Sequence, residues 1–226
     1  MYNYKTYLFG VVLVFGKIEY LNLLPFHIFM KRFTKSSQQA MSMNYYKGVP
    51  SNINHKFSSR KVDAAFISSI GAKKYDFVDL AIIAKKEVLS VLVIPNDKNL
   101  NDSESATSNV LAKILNVKGE VIIGDKALSY YLDNKPHIDL AKKWNQKYNL
   151  PFVFALLCYH KDEKLYKRIQ QKFLKTKIKI PNYILKNASK RTKIPQKDIL
   201  NYLKYISYDL DYKAKKGLNL FYRKTS

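Results

Sequence analysis

The sequence predicts an α/β fold of two lobes, with mostly parallel sheets and a cleft between the lobes. Three observations lead there. Short apolar runs alternate with segments of helical spacing from the start of the chain, the pattern of a β-α-β series with right-handed crossovers. The loops after those runs carry glycine, amide and hydroxyl groups where the carboxyl ends of strands would lie. A polar, turn-rich stretch at residues 95–102 and a strongly apolar return at residues 150–157 bracket a short insertion, so residues 1–94 and 155–226 are assigned to one lobe and 95–154 to the other.

The first strand is the apolar run at residues 11–15, whose period is lost at Gly16. Pro25 suits the first turn of a helix, where its missing N–H would have had no partner, and residues 25–33 continue that helix. Asn22 therefore sits at a strand-to-helix turn, where an amide can donate and accept hydrogen bonds without carrying charge; on this stretch alone, capping the helix is the stronger account. Residues 41–45 alternate as a second strand, Gly48-Val49-Pro50-Ser51 turns into a helix near residues 52–58, and residues 62–67 form a third strand ending at Ser68-Ser69. Residues 80–84 and 88–94 read as further strands.

Beyond the polar stretch, Ser105-Ala106-Thr107-Ser108 precedes a helical spacing of Val110, Leu111, Ile114 and Leu115. Its hydroxyls fall at the helix amino end, an anion site that carboxylates can use or a simple cap. Val121-Ile122-Ile123 is a buried strand ending in Gly124-Asp125-Lys126-Ala127-Leu128, where the glycine permits close approach to a ligand and Asp125 could be an acid, a base or a cap. Residues 140–148 read as a helix with Trp144 on its apolar side. From residue 162 onward the pattern is helical, with Leu165, Ile169 and Phe173 on one face and Ile199, Tyr202 or Leu203, Ile206 and Leu210 on a later one.

Composition narrows the class. The chain has 226 residues, 47% of them hydrophobic, enough for one large core or two modest ones. A single cysteine, Cys158, rules out an internal disulfide framework and fits a reducing compartment. Residues 8–15 are apolar, but Lys17 and Glu19 stand where a signal-peptide cleavage site should be, so the expectation is a strand in a cytoplasmic protein. No run reaches the length of a membrane span. Net charge is +23, with 19 Lys/Arg against 5 Asp/Glu from residue 161 to the end. That imbalance is the electrostatic footprint of nucleic-acid binding or of a lysine-rich solvated face; without zinc-finger, RNP-like or glycine-flanked basic motifs the solvated face is preferred, and neither nucleic acid nor membrane is expected as a partner.

The candidate chemistry is narrow. His27, His55, His137 and His160 are far apart without metal-ligand spacing, and neither a GxSxG elbow, a Walker loop nor a dinucleotide fingerprint appears, so neither metal nor cofactor is expected. What remains is a set of hydroxyls, amides and loop N–H groups at strand ends, suited to an anionic, oxygen-rich small molecule.

Several motifs stand in order over nearly the whole chain: Gly16-Lys17-Ile18-Glu19-Tyr20-Leu21-Asn22 with Pro25; Gly48-Val49-Pro50-Ser51 with Asn54; Val62-Asp63-Ala64-Ala65 leading to Ile67-Ser68-Ser69-Ile70. They continue with Val88-Leu89-Ser90-Val91, Ser105-Ala106-Thr107-Ser108, Ile123-Gly124-Asp125-Lys126-Ala127-Leu128, Asp139-Leu140 with Trp144, Leu150-Pro151-Phe152 and the tail from Tyr202 through Tyr208-Asp209-Leu210. In that order they resemble the chorismate dehydratases of the futalosine route to menaquinone, a family built on the type II periplasmic-binding-protein fold. The resemblance implies a carbon–oxygen lyase without cofactor: chorismate binds between the lobes and loses water to give 3-[(1-carboxyvinyl)oxy]benzoate. It assigns Asn22 and Ser90 to catalysis, and Ser68, Ser69, Thr107, Ser108, Gly124, Asp125 and Ala127 to substrate binding. No base is assigned; Glu19 is the one His or Glu in the matched motifs, and the substrate's own enolpyruvyl carboxylate is the alternative.

Three departures from the family pattern stand out. Only residues 116–120 connect the Thr107-Ser108 helix to the Gly124-Asp125 strand, which makes the second lobe unusually small. Lys147-Tyr148-Asn149 replaces a Thr-Gly before the Leu-Pro-Phe strand, and residues 1–8 have no counterpart and are expected to be disordered. Other functions on the same residues are a non-catalytic solute-binding protein, the sister dihydroxynaphthoate synthase, whose Ser-Pro-Cys-Pro-Asn-like start is not found, and a nucleic-acid binder.

Overall fold

A computed structural model describes residues 13–35 and 43–225. The expectations for residues 1–12, including the start of the first strand and the signal-peptide question, lie outside the described residues, as do Met41 and Ser42 of the second strand. The elements are β1 (Leu13–Ile18), α1 (Leu24–Lys35), β2 (Met43–Gly48), α2 (Pro50–Ser58), β3 (Ala64–Ser68), α3 (Ser69–Ala72), β4 (Phe77–Ala84) and β5 (Val91–Ile94). They continue as α4 (Ala106–Leu115), β6 (Glu120–Ile123), α5 (Gly124–Leu132), β7 (Ile138–Asp139), α6 (Leu140–Tyr148), β8 (Phe152–Tyr159), α7 (Glu163–Lys175), α8 (Asn182–Thr192), α9 (Gln196–Tyr202), β9 (Ile206–Asp209) and α10 (Tyr212–Lys224).

A sheet of six strands, in the order β2-β1-β3-β8-β4-β9, forms the larger lobe. Four of its strands point one way, while β8 and β9 run against them. The second sheet, β6-β5-β7, has three strands whose pairings are all antiparallel, a departure from the parallel sheets expected for both lobes. The connections there are not tight hairpins: α4 lies between β5 and β6, and α5 between β6 and β7, yet β6 and β7 both run against β5.

The strand pairing also moves the lobe boundary. Because β5 belongs to the small sheet, the first crossing is residues 85–90 rather than 95–102, and β8 lies wholly in the large sheet, so the insertion runs from β5 to α6. Residues 88–94 look like one apolar strand, but Leu89 adopts φ 62° and breaks it. A left-handed conformation is costly for a branched residue and persists where surrounding structure enforces it. Here Asp139 enforces it, its Oδ2 accepting the N–H groups of Val88 at 2.9 Å and Leu89 at 2.8 Å. Residues 95–102, instead of crossing between lobes, lie along β6, with Leu100 N–H donating to Gly119 O at 3.1 Å and Val121 N–H to Leu100 O at 2.9 Å. The short link to β6 is closed by Asn116 in the left-handed region and by Gly119 at φ 135°, where a Cβ would meet Ile94 O at 2.1 Å.

One hydrophobic core runs through both lobes. α1 and α7 meet on the large sheet, where Phe26 packs edge-on against Phe66 at 5.0 Å and Phe173 at 5.3 Å. In the small sheet Val93, Val121 and Ile123 join this core, while the alternate residues Leu92 and Ile122 form a separate cluster with Ala127. Trp144 is fully buried, as its place in the helix pattern predicts. The tail departs from its helical reading: Ile206 and Leu210 do not share a helix face, because residues 206–209 form β9, an edge strand on β4.

Candidate active site

The cavity between the lobes encloses about 620 Å³ of space, its open mouth included. Its wall comes from both lobes: Asn22 in the turn after β1, Ser68 at the end of β3, Ser90 just before β5, Ser105 and Ser108 at the start of α4, and Gly124 at the start of α5. Of the residues singled out by sequence, Asn22, Ser68, Ser90, Ser108 and Gly124 thus share one cavity.

Each is held by a partner distant in sequence. Ser90 is 2% exposed, and its hydroxyl lies 2.8 Å from that of Tyr202. Tyr202 is buried and burial keeps its phenol protonated, far above the usual range. Either hydroxyl can donate in this pair; with Tyr202 as the donor, its buried phenol proton is satisfied and the serine's own proton is left for a ligand. Tyr208, in β9, donates to the backbone oxygen of Asn22 at 2.6 Å and pins the turn. The Oδ1 of Asn22 is buried and has no hydrogen-bond partner among the described residues. Buried polar atoms are nearly always satisfied, so this orphan marks where a ligand's donor fits. Asn54 Nδ2 donates to Ser68 Oγ at 2.9 Å, while Ser68 N–H donates back to Asn54 Oδ1 at 3.3 Å.

Ser69, Thr107, Asp125 and Ala127, also expected at the substrate, are not on this wall. The Ser69 hydroxyl donates to Val153 O at 2.6 Å inside the large lobe. Ala127 is fully buried in the small cluster beneath β5 and β6. Thr107 and Asp125 are struts between lobes: Thr107 Oγ1 accepts Ile70 N–H at 3.0 Å, and Asp125 Oδ1 accepts Leu21 N–H at 3.0 Å. Asp125 Oδ2 also takes Arg191 Nη1 at 2.9 Å. Burial pushes the Asp125 carboxyl up, while Leu21 N–H and Arg191 draw it back. A hydroxyl or carboxylate at a helix amino end signals a hydrogen bond, but its direction is decided by the facing lobe.

The family model for menaquinone biosynthesis matches residues 13–119 and 116–226. The chain belongs to that menaquinone-biosynthesis family. A chorismate dehydratase of Campylobacter jejuni subsp. jejuni serotype O:23/36 (strain 81-176) is 49% identical to it over 213 residues, covering 92% of this chain and 96% of that protein. Solved structures are similar in fold at low identity. A protein of Archaeoglobus fulgidus superposes with a TM-score of 0.66 at 12% identity, over 94% of this chain and 96% of that one. The alkanesulfonate-binding protein SsuA of Xanthomonas axonopodis pv. citri gives 0.57 at 11%, over 94% and 93%. The fold is therefore the periplasmic-binding-protein fold with its two lobes.

In this menaquinone-biosynthesis family member the cavity wall bears, among the described residues, no Asp, Glu, His, Lys or Arg, and Tyr20 is the one titratable side chain among them. Burial and the hydrogen bond to Glu104 raise the Tyr20 phenol far above its ordinary value, so it stays a neutral donor to the Glu104 carboxylate across the cleft. Positive potential is supplied instead by the amino ends of α4 and α5, which meet the cavity at Ser105, Ser108 and Gly124. Gly124 has φ 68°, and a Cβ on it would lie 2.7 Å from the Tyr20 ring. Among the described residues no three His, Cys, Asp or Glu side chains are grouped to hold a metal ion, and no helix is long and apolar enough to cross a membrane. Sequence reasoning missed Tyr20, Ser105, Tyr202, Tyr208, Asn54 and Asp139 as parts of the site. Their motifs were visible, but nothing local gave Tyr202 a reason to face Ser90 or Asp139 a reason to face residues 88–89.

Proposed function

We propose that this chain is a chorismate dehydratase, a carbon–oxygen lyase of the futalosine route to menaquinone that acts in the cytoplasm. The observation that carries the reading is the 49% identity, over almost the whole length of both chains, to a protein of that activity.

The chemistry suits the cavity. Chorismate loses the proton from the ring carbon bearing the enolpyruvyl ether, and the C–H electron pair becomes a ring double bond. The C–O bond on the neighbouring carbon breaks, its oxygen leaves with a proton as water, and the ring becomes aromatic. Both carboxylates persist, so the dianion yields a dianion. Aromatisation supplies the driving force, and the site has to orient the substrate and donate to the oxygen that departs. Ser90, its Oγ already accepting from Tyr202, donates to the departing hydroxyl. Asn22 receives the same hydroxyl's proton at Oδ1 in the bound substrate and holds it in line. With no carboxylate or imidazole on the wall among the described residues, the enolpyruvyl carboxylate of the substrate takes the ring proton and hands it to the departing hydroxyl, which leaves as water and returns the carboxylate.

Purified protein incubated with chorismate should yield a product lighter by one water, read by mass spectrometry. No such product from the wild-type chain overturns the proposal. A Glu19→Gln variant that binds chorismate but has lost turnover would restore a protein base.

A further inference from the structure

Tyr20 has a cavity on each side. Behind it, away from the cleft, a larger pocket of about 950 Å³ opens between the end of β1, α1 and α8. Its wall carries Lys17, Lys31 and Arg191 against a single carboxylate, Glu19, with the amide of Asn187 beside them. Glu19 is already shared between Lys17 at 3.4 Å and Lys47 at 3.5 Å, and Arg191 is engaged by Asp125. Lys31, on α1, has no ion pair among the described residues and presents its full charge. His27, also on this wall, donates Nε2–H to Ile18 O at 2.7 Å; burial holds its pKa down at about 4, so it adds no charge near neutrality.

The inner wall offers a dianion two helix amino ends but, among the described residues, no charged side chain to draw it in from solvent. The pocket across Tyr20 supplies what it lacks. We propose that this outer pocket is a binding site for small organic dicarboxylates, and that on the reading of the chain as a chorismate dehydratase it receives the substrate before it passes Tyr20. Lys31 and Lys17 take one carboxylate, and Arg191 and Asn187 take the other. Arg191 is thereby linked, through Asp125, to the N–H of Leu21 beside Asn22. The cation-lined pocket raises the local concentration of the anion, and the neutral cavity does the chemistry.

Two measurements test it. Calorimetric titration of isophthalate, a stable benzene dicarboxylate, into the intact protein should reveal a site that survives Ser90→Ala and weakens at least roughly fivefold in Lys31→Gln. Lys31 is exposed, so that variant keeps its fold. Inorganic phosphate in the same titration separates the sources: binding as tight as that of isophthalate, isophthalate binding that Lys31→Gln leaves unchanged, or no binding at all overturns the proposal. For turnover, kcat/KM for chorismate is followed against KCl in wild type, Lys31→Gln and Lys213→Gln, the last an exposed lysine on neither cavity. Lys31→Gln should lower kcat/KM several-fold at low salt with the gap closing as salt rises, while Lys213→Gln stays near wild type. Equal effects of the two mean that only the overall charge of +23 acts, and the pocket proposal fails. A wild-type chain that binds isophthalate through Lys31 but does not dehydrate chorismate overturns the enzymatic reading and keeps the site.

Discussion

The two cavities that share Tyr20 differ in the physics of their walls. On the cleft side, neutral hydroxyls, an amide and two helix amino ends surround a space without a charged side chain; on the far side, three cations face one carboxylate. The difference separates attraction from reaction. A buried ammonium beside the ring would grip the substrate dianion and the product dianion alike, and uniform binding of that kind leaves the barrier unchanged. On the reaction proposed above, neutral donors at the departing oxygen act where charge develops.

That separation can be broken most severely at Asn22. Asn22→Ala should cut kcat about 10² to 10³-fold, the loss seen on removing one well-placed polar group from a reacting oxygen, while isophthalate binding at the outer pocket persists. Steady-state kinetics with circular dichroism as a fold control decide it; loss of both functions together would merge the two cavities into one site. Next in size is the partition itself. Gly124→Ala places a methyl against the Tyr20 ring in a backbone region alanine dislikes, and should lower stability by about 1 to 3 kcal/mol with a matching drop in Tm and a raised KM.

A smaller effect sharpens the role of the inner hydroxyls. Tyr202→Phe removes the donor to Ser90 and frees the serine to turn away, so kcat should fall about tenfold, equivalent to about 1.4 kcal/mol, with KM little changed. An equal change in KM would make Tyr202 a packing residue alone. The last test reads stability against pH rather than turnover, and concerns the outer wall. Folded His27 resists protonation down to about pH 4, whereas the unfolded chain takes up the proton near 6.5. Between those values the unfolded state binds more protons, so stability falls as pH drops from about 6.5 to about 4. Thermal melts across that range should show a shallower slope in His27→Gln, and identical slopes would mean the ring is already charged in the folded protein.

The place of Asn22 and Ser68 at strand ends was legible because such ends and the turns after them are written locally, in an apolar run that stops and a proline or glycine that follows. Thr107 and Asp125 carried the same signature and were read as ligand groups, yet they bind Ile70 and Leu21 across the cleft. β9 was read as helix because its four residues sit among basic segments of helical spacing, and only the free edge of β4 makes a strand of them.

The sequence by itself determined the α/β alternation, the strand-end loops and the excess of positive charge, since each depends on near neighbours through side-chain period, turn chemistry and composition. The tertiary structure alone decided which loop groups face one another. Tyr202 reaches Ser90 across 112 positions and Tyr208 reaches Asn22 across 186, and which polar group a buried phenol meets is set by how segments distant in the chain pack together, a property no local window contains.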